Sequence, residues 1–442
     1  MRLLYTLLWY LALPLLPLRL WWRGRREPGY REYIGERFGR YGSGLLPVGG
    51  TLVAGDSAPG PVIWLHAVSL GETRAAAPLI DRLQRAYPQA TILLTHMTAT
   101  GRAAGKALAG ERIVQAWLPY DVPFAVRAFF RHFRPRVGML METELWPNLV
   151  AEAHSAEIPM LVVNARLSER SAAGYARIGG LTRPLLRALS GIAAQTTADA
   201  RRLEALGAHD VAVTGNLKFD IAVPAAALAQ GRQLRQLFGE QRPVWLAAST
   251  RDGEEALLLD ALAANALPPE VLTVILPRHP QRFDDVAALL RQRGWAYVRR
   301  SEGKPVPADT RFVLGDTMGE MLAYCAAADA VFVGGSLLPL GGQNLIEPIA
   351  VGTPVLVGPH TFNFTEATAN AIAAGAALRV ADAGALVAEV RSLLADPGRR
   401  RAMSEAGGVF CATHRGALDR LWNWLEPRIT ARVASGSAAR ER

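Results

Sequence analysis

The sequence predicts an α/β protein of two doubly wound, Rossmann-like domains that follow an N-terminal membrane anchor. A chain of 442 residues exceeds one ordinary hydrophobic core, which favours two domains. Two successive series of short apolar runs alternate with helical stretches, as in parallel sheets that are covered by helices on both faces. We therefore predict an anchor over residues 1–26, an N-terminal domain over 27–220, a linker over 221–242, a C-terminal domain over 243–424 and a disordered basic tail over 425–442.

The anchor is predicted from the first residues of the chain. Met1 to Trp22 is leucine-rich and almost uncharged, and it ends in the group Trp21, Trp22, Arg23, Arg25 and Arg26. Tryptophans followed by arginines are typical of a membrane interface with a cytoplasmic flank, which predicts that the body of the protein lies on the cytoplasmic side. Because Pro14 and Pro17 break a helix, a membrane span and a shallow anchor both stay open, as does a buried core helix.

The charge balance limits the classes of partner. The net charge is +10 and the isoelectric point is near 10.0, which fits an anionic membrane surface, anionic substrates or nucleic acid. No RNA-binding signature is apparent, so we expect no nucleic acid, and we predict that Arg31, Arg37 and Arg40 lie on anionic lipid head groups. Cys325 and Cys411 lack the spacing of a disulfide framework or a zinc site, which indicates a reducing compartment.

Buried parallel strands are predicted from uniformly apolar runs that are rich in β-branched residues. In the N-terminal domain these runs are 62–65, 91–94, 113–118, 137–141, 160–163, 192–194 and 211–213. In the C-terminal domain they are 244–247, 272–276, 296–298, 312–314, 330–333, 354–357 and 377–380. Because doubly wound sheets bind ligands beyond the carboxyl ends of their strands, the loops at those ends are the candidate sites, and we expect the two domains to share a cleft.

The segment from Phe332 to Phe364 has the layout of a nucleotide pocket. A strand ends in Gly335 and Ser336, and we predict that a helix beginning near Gln343 offers its free backbone amides to a phosphate. Glu347, within that helix, is expected to accept hydrogen bonds from a ribose diol. The alternative is a glycine turn with a solvated glutamate.

Cationic and hydroxyl side chains at other strand ends predict an anion site. An arginine can form two parallel hydrogen bonds with a phosphate or a carboxylate. The candidate residues are Lys218, Ser249, Thr250, Arg251, Arg278 and His279. For any one of them, a solvated loop residue is the alternative.

The N-terminal domain supplies a candidate general base. Ser69, Gly71 and Glu72 run from the first strand into a helix, and Gly71 is expected to let the backbone turn. A carboxylate in the first helical turn feels the positive helix end, so we expect a lowered pKa for Glu72 and an ionised but weak base. The alternative is a glutamate that only stabilises the helix.

A second acidic loop follows the run 137–141. It contains Glu142, Glu144 and Trp146 before a proline that starts a helix. Carboxylates accept hydrogen bonds from hydroxyl groups and indoles stack on sugar faces, so this loop suits a sugar acceptor, with helix capping by Glu144 as the alternative. No metal-binding motif lies near either candidate site, so we expect neither a metal ion nor another cofactor.

Six ordered motifs resemble the bacterial 3-deoxy-D-manno-octulosonic acid (Kdo) transferases of lipopolysaccharide synthesis over nearly the whole chain. They read HAVSLGET, METELWPN, TGNLKFD, ASTRDGEE, PRHPQRF, and GGSLLPLGGQNLIEP followed by GPHTFNF. The resemblance implies the GT-B fold, and it implies a membrane-associated, inverting, metal-independent transfer of Kdo from CMP-Kdo to a lipid A precursor. It also implies a location at the cytoplasmic face of the inner membrane.

By the same resemblance, Glu72 corresponds to the general base and Glu142 to a second essential carboxylate on the acceptor side. The donor-binding groups correspond to Arg278, His279, Gly335, Ser336, Asn344 and Glu347, with Lys218 near the donor. Gln343 stands where the family usually has histidine, and glutamine cannot carry a charge. The alternatives are another GT-B nucleotide-sugar transferase with a lipid acceptor, a nucleotide-sugar epimerase, and a membrane-tethered binding protein without turnover.

Overall fold

The computed structural model describes residues 1–25, 27–42, 60–108, 112–220 and 223–438, and it divides into two units. Unit 1 comprises Met1–Asp220 and Gly416–Arg442, and unit 2 comprises Ile221–Arg415. Each unit contains a seven-stranded sheet in which neighbouring strands pair in parallel. Arg26, in the predicted basic end of the anchor, and residues 439–442 of the predicted tail lie outside the described residues.

Unit 1 has a doubly wound sheet. Its strands are β1 (Val62–His66), β2 (Thr91–His96), β3 (Ile113–Trp117), β4 (Val137–Met141), β5 (Met160–Ala165), β6 (Gly191–Ala194) and β7 (Val211–Val213). Its helices are α1 (Arg2–Ala12), α2 (Leu16–Arg23), α3 (Leu70–Ala86), α4 (Ala99–Ala107), α5 (Pro123–Phe133), α6 (Pro147–Ser155), α7 (Glu169–Arg177), α8 (Gly179–Ala188), α9 (Thr197–Ala205) and α18 (Ala417–Ala438). The strand order is β3-β2-β1-β4-β5-β6-β7. Because the order reverses between β1 and β4, the loops after these two strands flank the topological switch point, where such sheets bind ligands.

Both faces of this sheet are buried. Successive side chains of a strand point to opposite faces, so neighbouring residues pack into different apolar clusters. Leu65 lies in one apolar cluster and its neighbour Trp64 lies in the other. The first cluster is completed by α18, whose Leu425 and Ile429 are fully buried. The predicted disorder is therefore wrong for residues 425–438, and the preceding residues from Gly416 onward belong to unit 1 and not to the second domain.

Unit 2 repeats the architecture. Its strands are β8 (Val244–Thr250), β9 (Leu272–Pro277), β10 (Tyr297–Arg299), β11 (Phe312–Leu314), β12 (Ala330–Val333), β13 (Val355–Val357) and β14 (Ala377–Arg379). Its helices are α10 (Ala225–Phe238), α11 (Glu254–Ala264), α12 (Phe283–Gln292), α13 (Met321–Ala327), α14 (Ile346–Ala350), α15 (Thr365–Ala373), α16 (Ala383–Ala395) and α17 (Pro397–His414). The strand order is β10-β11-β9-β8-β12-β13-β14, so the switch point lies between β8 and β12. Every apolar run predicted as a strand forms one, with shifts of a few residues at the ends.

The segment predicted as a linker, 221–242, belongs to unit 2. Its helix α10 packs closely on α13, since a Cβ atom at Gly231 would lie 2.8 Å from the Cβ of Ala326. Arg235 forms an ion pair with Asp329 at 2.9 Å. These contacts show that α10 is a packed element of unit 2 and not a free connector between domains.

The N-terminal segment is helical but interrupted. A 3-10 turn over Leu13–Leu15 separates α1 from α2, which confirms that the prolines break the helix. Within the described residues, Arg2–Arg23 is the one helical stretch long and apolar enough to cross a membrane, with a mean hydropathy of 1.5. The predicted place of Arg37 on lipid head groups is wrong, because this residue is buried with its guanidinium 3.8 Å from the centre of the Trp117 ring.

Candidate active site

Glu72 lies in the first turn of α3, beyond the carboxyl end of β1. The Ser69 hydroxyl accepts a hydrogen bond from Glu72 N at 3.4 Å and donates one to Glu72 Oε1 at 2.9 Å. Val68 N donates to the other carboxylate oxygen at 2.8 Å. This reciprocal capping box fixes the carboxyl group, and it performs the helix-stabilising role that the sequence left open as the alternative.

The pKa of Glu72 is raised to about 7, whereas the sequence predicted a lowered pKa. Burial is the main cause, since only 9% of the residue is exposed, and the negative charge of Glu142 adds to it. The hydrogen bonds from Val68 and Ser69 oppose the shift without cancelling it. Burial therefore raises the pKa of Glu72 by more than the helix N-terminus lowers it. A pKa near 7 is the value at which a general base is most effective near neutral pH.

Gly71 is the second residue of α3 and does not make the turn that was expected of it. It has no positive φ, and a Cβ atom at this position would meet only the Ser69 hydroxyl, at 3.9 Å. The expected conformational role is therefore wrong, because the helix has already begun. Apart from its neighbours in the chain, the glycine therefore has only the Ser69 hydroxyl within 4 Å of where a Cβ atom would lie.

Glu142 directly follows β4, on the other side of the switch point from Glu72. Its φ of 56° is left-handed, a strained conformation for a non-glycine residue and one that proteins often keep at functional sites. Its Oε1 atom lies 2.9 Å from the Lys218 Nζ atom in an ion pair. Lys218 is thus beside Glu142 in unit 1, and both the acceptor-side role of Glu142 and the position of Lys218 near the donor stay predictions.

Glu144 and Trp146 complete the acidic loop. Burial raises the pKa of Glu144, and the charge of Glu142 raises it further. Glu144 does not cap α6. That role belongs to Asp121, whose carboxylate accepts hydrogen bonds from Asn148 N at 2.9 Å and from the next backbone N–H at 2.7 Å. The capping alternative for Glu144 is therefore wrong, and both side chains of the loop are half-buried at the surface of unit 1.

In unit 2, one buried carboxylate joins the loops that follow β8 and β12. Glu254, the first residue of α11, accepts hydrogen bonds from the backbone N–H groups of Gly335 at 2.6 Å, Leu337 at 3.0 Å and Arg251 at 2.9 Å. Gly335 has a φ of 72°, which favours glycine. Glu254 is fully buried, and its hydrogen bonds to N–H groups of both loops fix the loops against each other.

Thr250 and Ser336 use their hydroxyl groups inside unit 2. Thr250 Oγ1 donates to Glu255 Oε1 at 2.9 Å, and Ser336 Oγ accepts from Gly358 N at 2.8 Å. Ser249 has a left-handed φ of 55° at the irregular end of β8. All three are buried, so any contact of Thr250 or Ser336 with a donor substrate is expected through the backbone.

Basic side chains converge at the carboxyl ends of β8 and β9. The pKa of His279 is lowered by burial and by the positive charges of Arg251, Arg278 and Arg282. Arg278 Nε donates to Gln343 Oε1 at 3.3 Å. Gln343 therefore orients the arginine, which a neutral side chain can do. Arg282 forms ion pairs with Asp252 and, at 3.2 Å, with Glu255, so Arg251 and Arg278 are the cations of the cluster best suited to an anion.

The predicted phosphate-binding helix near Gln343 is wrong. The helix α14 begins at Ile346 and has only five residues, because Gly342 continues the loop with a φ of 75°. Asn344 Oδ1 accepts from Ile346 N at 3.0 Å, and Asn344 Nδ2 donates to Glu347 Oε1 at 3.1 Å. Asn344 and Glu347 thus form an ordered, partly exposed pair beside the basic cluster's glutamine, and their contact with a nucleotide stays a prediction.

Comparison with known proteins assigns the family. A family model described as 3-deoxy-D-manno-octulosonic-acid transferase (kdotransferase) matches residues 32–221, and one for glycosyl transferases group 1 matches residues 297–408. The 3-deoxy-D-manno-octulosonic acid transferase of Bordetella pertussis is 48% identical over 95% of this chain and 99% of its own. The chain belongs to the Kdo transferase family. The Haemophilus influenzae enzyme of the same name is 36% identical over 98% of this chain and 100% of its own.

Two solved structures share the fold of this Kdo transferase. A glycosyltransferase from Rickettsia africae ESF-5 has a TM-score of 0.55 and 12% identity over 85% of this chain and 99% of its own. Anabaena Alr3699/HepE in complex with UDP has a TM-score of 0.53 and 14% identity over 84% of this chain and 100% of its own. The two parallel sheets and these neighbours assign the GT-B fold class, and family membership favours a glycosyltransferase over an epimerase or a binding protein without turnover.

The residues predicted from the motifs of this Kdo transferase fall into two groups. Unit 1 holds Ser69, Gly71, Glu72, Glu142, Glu144, Trp146 and Lys218, and unit 2 holds Ser249, Thr250, Arg251, Arg278, His279, Gly335, Ser336, Asn344 and Glu347. Sequence reasoning missed Asp121, Glu254 and Arg282. Glu254 and Arg282 lie within the quoted motifs. The sequence feature that could have identified them is a charged residue that follows a strand and lies at the start of a helix.

Proposed function

We propose that this Kdo transferase moves Kdo from CMP-Kdo to a hydroxyl group of a lipid A precursor, with inversion and without a metal ion, at the cytoplasmic face of the inner membrane. The observation that carries the proposal is the buried Glu72 carboxyl group, whose pKa of about 7 suits removal of a hydroxyl proton at neutral pH. This group lies in the part of the chain that matches the Kdo transferase model.

In the proposed step, Glu72 takes the proton of the acceptor hydroxyl group. At the same time, the oxygen of that hydroxyl group forms a bond to the anomeric carbon of Kdo. The bond from that carbon to the phosphate oxygen of CMP breaks, and CMP leaves with the electron pair. Attack on the face opposite the leaving group inverts the configuration. Arg251 and Arg278 stabilise the negative charge that develops on the departing phosphate.

The acceptor-side roles follow from the contacts of unit 1. Glu142 raises the pKa of Glu72 and is itself held by Lys218, so its charge stays next to the base. The Glu144 carboxylate can accept hydrogen bonds from the hydroxyl groups of a sugar, and the half-buried Trp146 indole can stack on a sugar face.

We propose that no metal ion takes part because Arg251 and Arg278 can compensate the negative charge of the departing phosphate. In the described ranges, no group of three or more His, Cys, Asp and Glu side chains is arranged to hold a metal. The membrane location is supported by the apolar segment Arg2–Arg23 and by the net charge of +10. The donor, the acceptor and the metal independence are tested together by one reconstituted reaction.

The experiment incubates the purified full chain with CMP-Kdo and a lipid A precursor in mixed phospholipid micelles, with and without EDTA. We expect a Kdo-bearing lipid product and an equal amount of CMP, with rates unaffected by EDTA. CMP release without lipid product would contradict the proposed acceptor, and loss of activity in EDTA that Mg²⁺ restores would contradict the metal-independent mechanism.

A further inference from the structure

We propose that the N-terminal segment formed by α1 and α2 lies in the plane of the membrane interface, docked on unit 1, and does not cross the bilayer. The partner of its outer face is the anionic lipid surface. This inference rests on the membrane location in the proposed function and specifies how the chain binds that membrane.

One side of the segment packs on unit 1 along most of its length. The buried and half-buried residues recur every three or four positions, as a single helix face requires: Tyr5, Thr6, Trp9, Ala12, Leu13, Leu16 and Leu20. Leu16 and Leu20 are buried in an apolar cluster with Tyr30 and Tyr120. At 1.5 Å per residue, the face from residue 5 to residue 20 is about 22 Å long, so unit 1 supports the segment over almost its full extent.

Polar contacts fix the beginning of the segment to unit 1. Thr6 Oγ1 donates to Asn148 Oδ1 at 3.0 Å, and Tyr5 lies close enough to the Asp121 carboxyl group to influence its pKa. In a bilayer span, Tyr5 and Thr6 would lie about 25 Å from the cytoplasmic end of the helix, close to the opposite leaflet. Asp121 and Asn148 belong to the folded body, so they would have to enter the hydrocarbon to keep these contacts, which is costly for a carboxyl group.

The outer side of the segment is apolar and exposed. It carries Leu3, Leu4, Leu7, Leu8, Leu11, Leu15 and Leu18, and it ends in the exposed Trp21 and Trp22. Exposed arginines follow at Arg23, Arg25 and Arg31, and the Arg25 guanidinium lies 4.0 Å from the centre of the Trp21 ring. A leucine face bordered by tryptophans and arginines is typical of a helix that lies at the boundary between lipid tails and anionic head groups.

The docked segment also touches the acceptor-side loop. The Trp9 ring centre lies 5.8 Å from that of Tyr120 and 6.4 Å from that of Trp146. Asp121, which lies near Tyr5 of the segment, caps the helix that begins right after Trp146. An in-plane segment therefore keeps the acceptor loop at the depth of the lipid head groups, where a lipid substrate presents its sugar hydroxyls.

The topology is tested by labelling an Arg2→Cys variant of the full chain with a membrane-impermeant maleimide, in spheroplasts and in inverted inner-membrane vesicles. Wild type supplies the background, because Cys325 and Cys411 are buried. Glu169→Cys, at an exposed position of unit 1, reports the side on which the body lies. We expect both variants to be labelled in inverted vesicles and neither to be labelled in spheroplasts.

Labelling of Arg2→Cys from the periplasmic side would overturn the proposal, as would a thiol that reacts on neither side until detergent is added. Recovery of the chain in the soluble fraction would overturn it together with the proposed membrane location. The expected labelling pattern without Kdo transfer in the same vesicles would instead contradict the proposed function and leave the in-plane orientation supported.

The lipid partner is tested by flotation of the full chain with vesicles of phosphatidylglycerol and phosphatidylethanolamine. A Leu7→Glu, Leu11→Glu double variant is expected to lower the bound fraction at least tenfold, because it replaces two apolar side chains that lipid would cover with two carboxylates. Leu257→Glu, at a 42% exposed leucine of unit 2, is the matched control and should bind as wild type does. Binding of the double variant that equals that of wild type would overturn the proposal.

Discussion

Replacing Glu72 by glutamine removes an ionisable group that the folded chain protonates far more readily than the unfolded chain does. Its pKa is raised from 4.5 to about 7, first by burial and then by Glu142. A carboxyl group with a raised folded pKa stabilises the fold below its unfolded pKa, and this contribution is lost as the pH rises through the folded pKa. Between pH 5.5 and 8.5 the loss amounts to about 2 kcal/mol of unfolding free energy.

The assay is urea unfolding of wild type and Glu72→Gln at both pH values, followed by tryptophan fluorescence, since most of the indoles lie in unit 1. The difference between the two proteins cancels every other titrating group. We expect the variant to gain about 2 kcal/mol relative to wild type from pH 5.5 to pH 8.5. Glu169→Gln, which changes an exposed glutamate at a helix start, is the control and should show no such gain.

The same pKa predicts the pH dependence of transfer. A base with a pKa of about 7 is ionised in about 9% of molecules at pH 6 and in about 91% at pH 8, so the transfer rate should rise about tenfold. Glu72→Gln should lower the rate by about 10²- to 10⁴-fold and remove this acid limb. If the stability and the rate of wild type and variant depend on pH in the same way, the argument that burial raises the pKa of Glu72 is refuted.

Other substitutions test the groups that hold the two sites in place. Asp121→Ala leaves two backbone N–H groups of α6 without their acceptor and should lower the unfolding free energy of unit 1 by at least about 2 kcal/mol, a loss that urea unfolding would measure. Glu254→Ala should lower CMP affinity at least about tenfold in calorimetry, because three loop N–H groups lose their acceptor, and unchanged affinity would separate this carboxylate from the donor site. Arg278→Ala should weaken CMP binding by about 10- to 100-fold, and Gln343→Ala by less because it only orients the arginine, so a larger effect of the glutamine variant would reverse their roles.

The strands and the positions of the motif loops could be predicted from the sequence. Parallel strands that are covered on both faces have uniformly apolar side chains, so runs such as 137–141 and 330–333 are recognisable without knowledge of their neighbours. The motifs then lie at strand ends because the strand assignments are right. The placement of Glu72 and Glu142 on opposite sides of one switch point depends on the strand order, which the apolar runs do not specify.

What the sequence could not provide depends on tertiary packing. The helix position of Glu72 predicts a lowered pKa, but burial and the charge of Glu142, which comes from another strand, reverse the direction. The polar, alanine-rich end of the chain is typical of a tail, yet the apolar side of α18 completes the core of unit 1. Gly342 extends a loop where the local pattern predicts a helix, since its positive φ is a property of the folded loop.

The return of α18 to unit 1 has a consequence for the order of events during synthesis. The apolar face under the first sheet stays open until Leu421, Leu425 and Ile429 have left the ribosome, while unit 2 is a continuous segment that can fold before them. The leucine-rich N-terminal segment is made before either sheet. The first half of the nascent chain therefore waits for α18, and a stop codon before Ala417 would leave that half without a closed core.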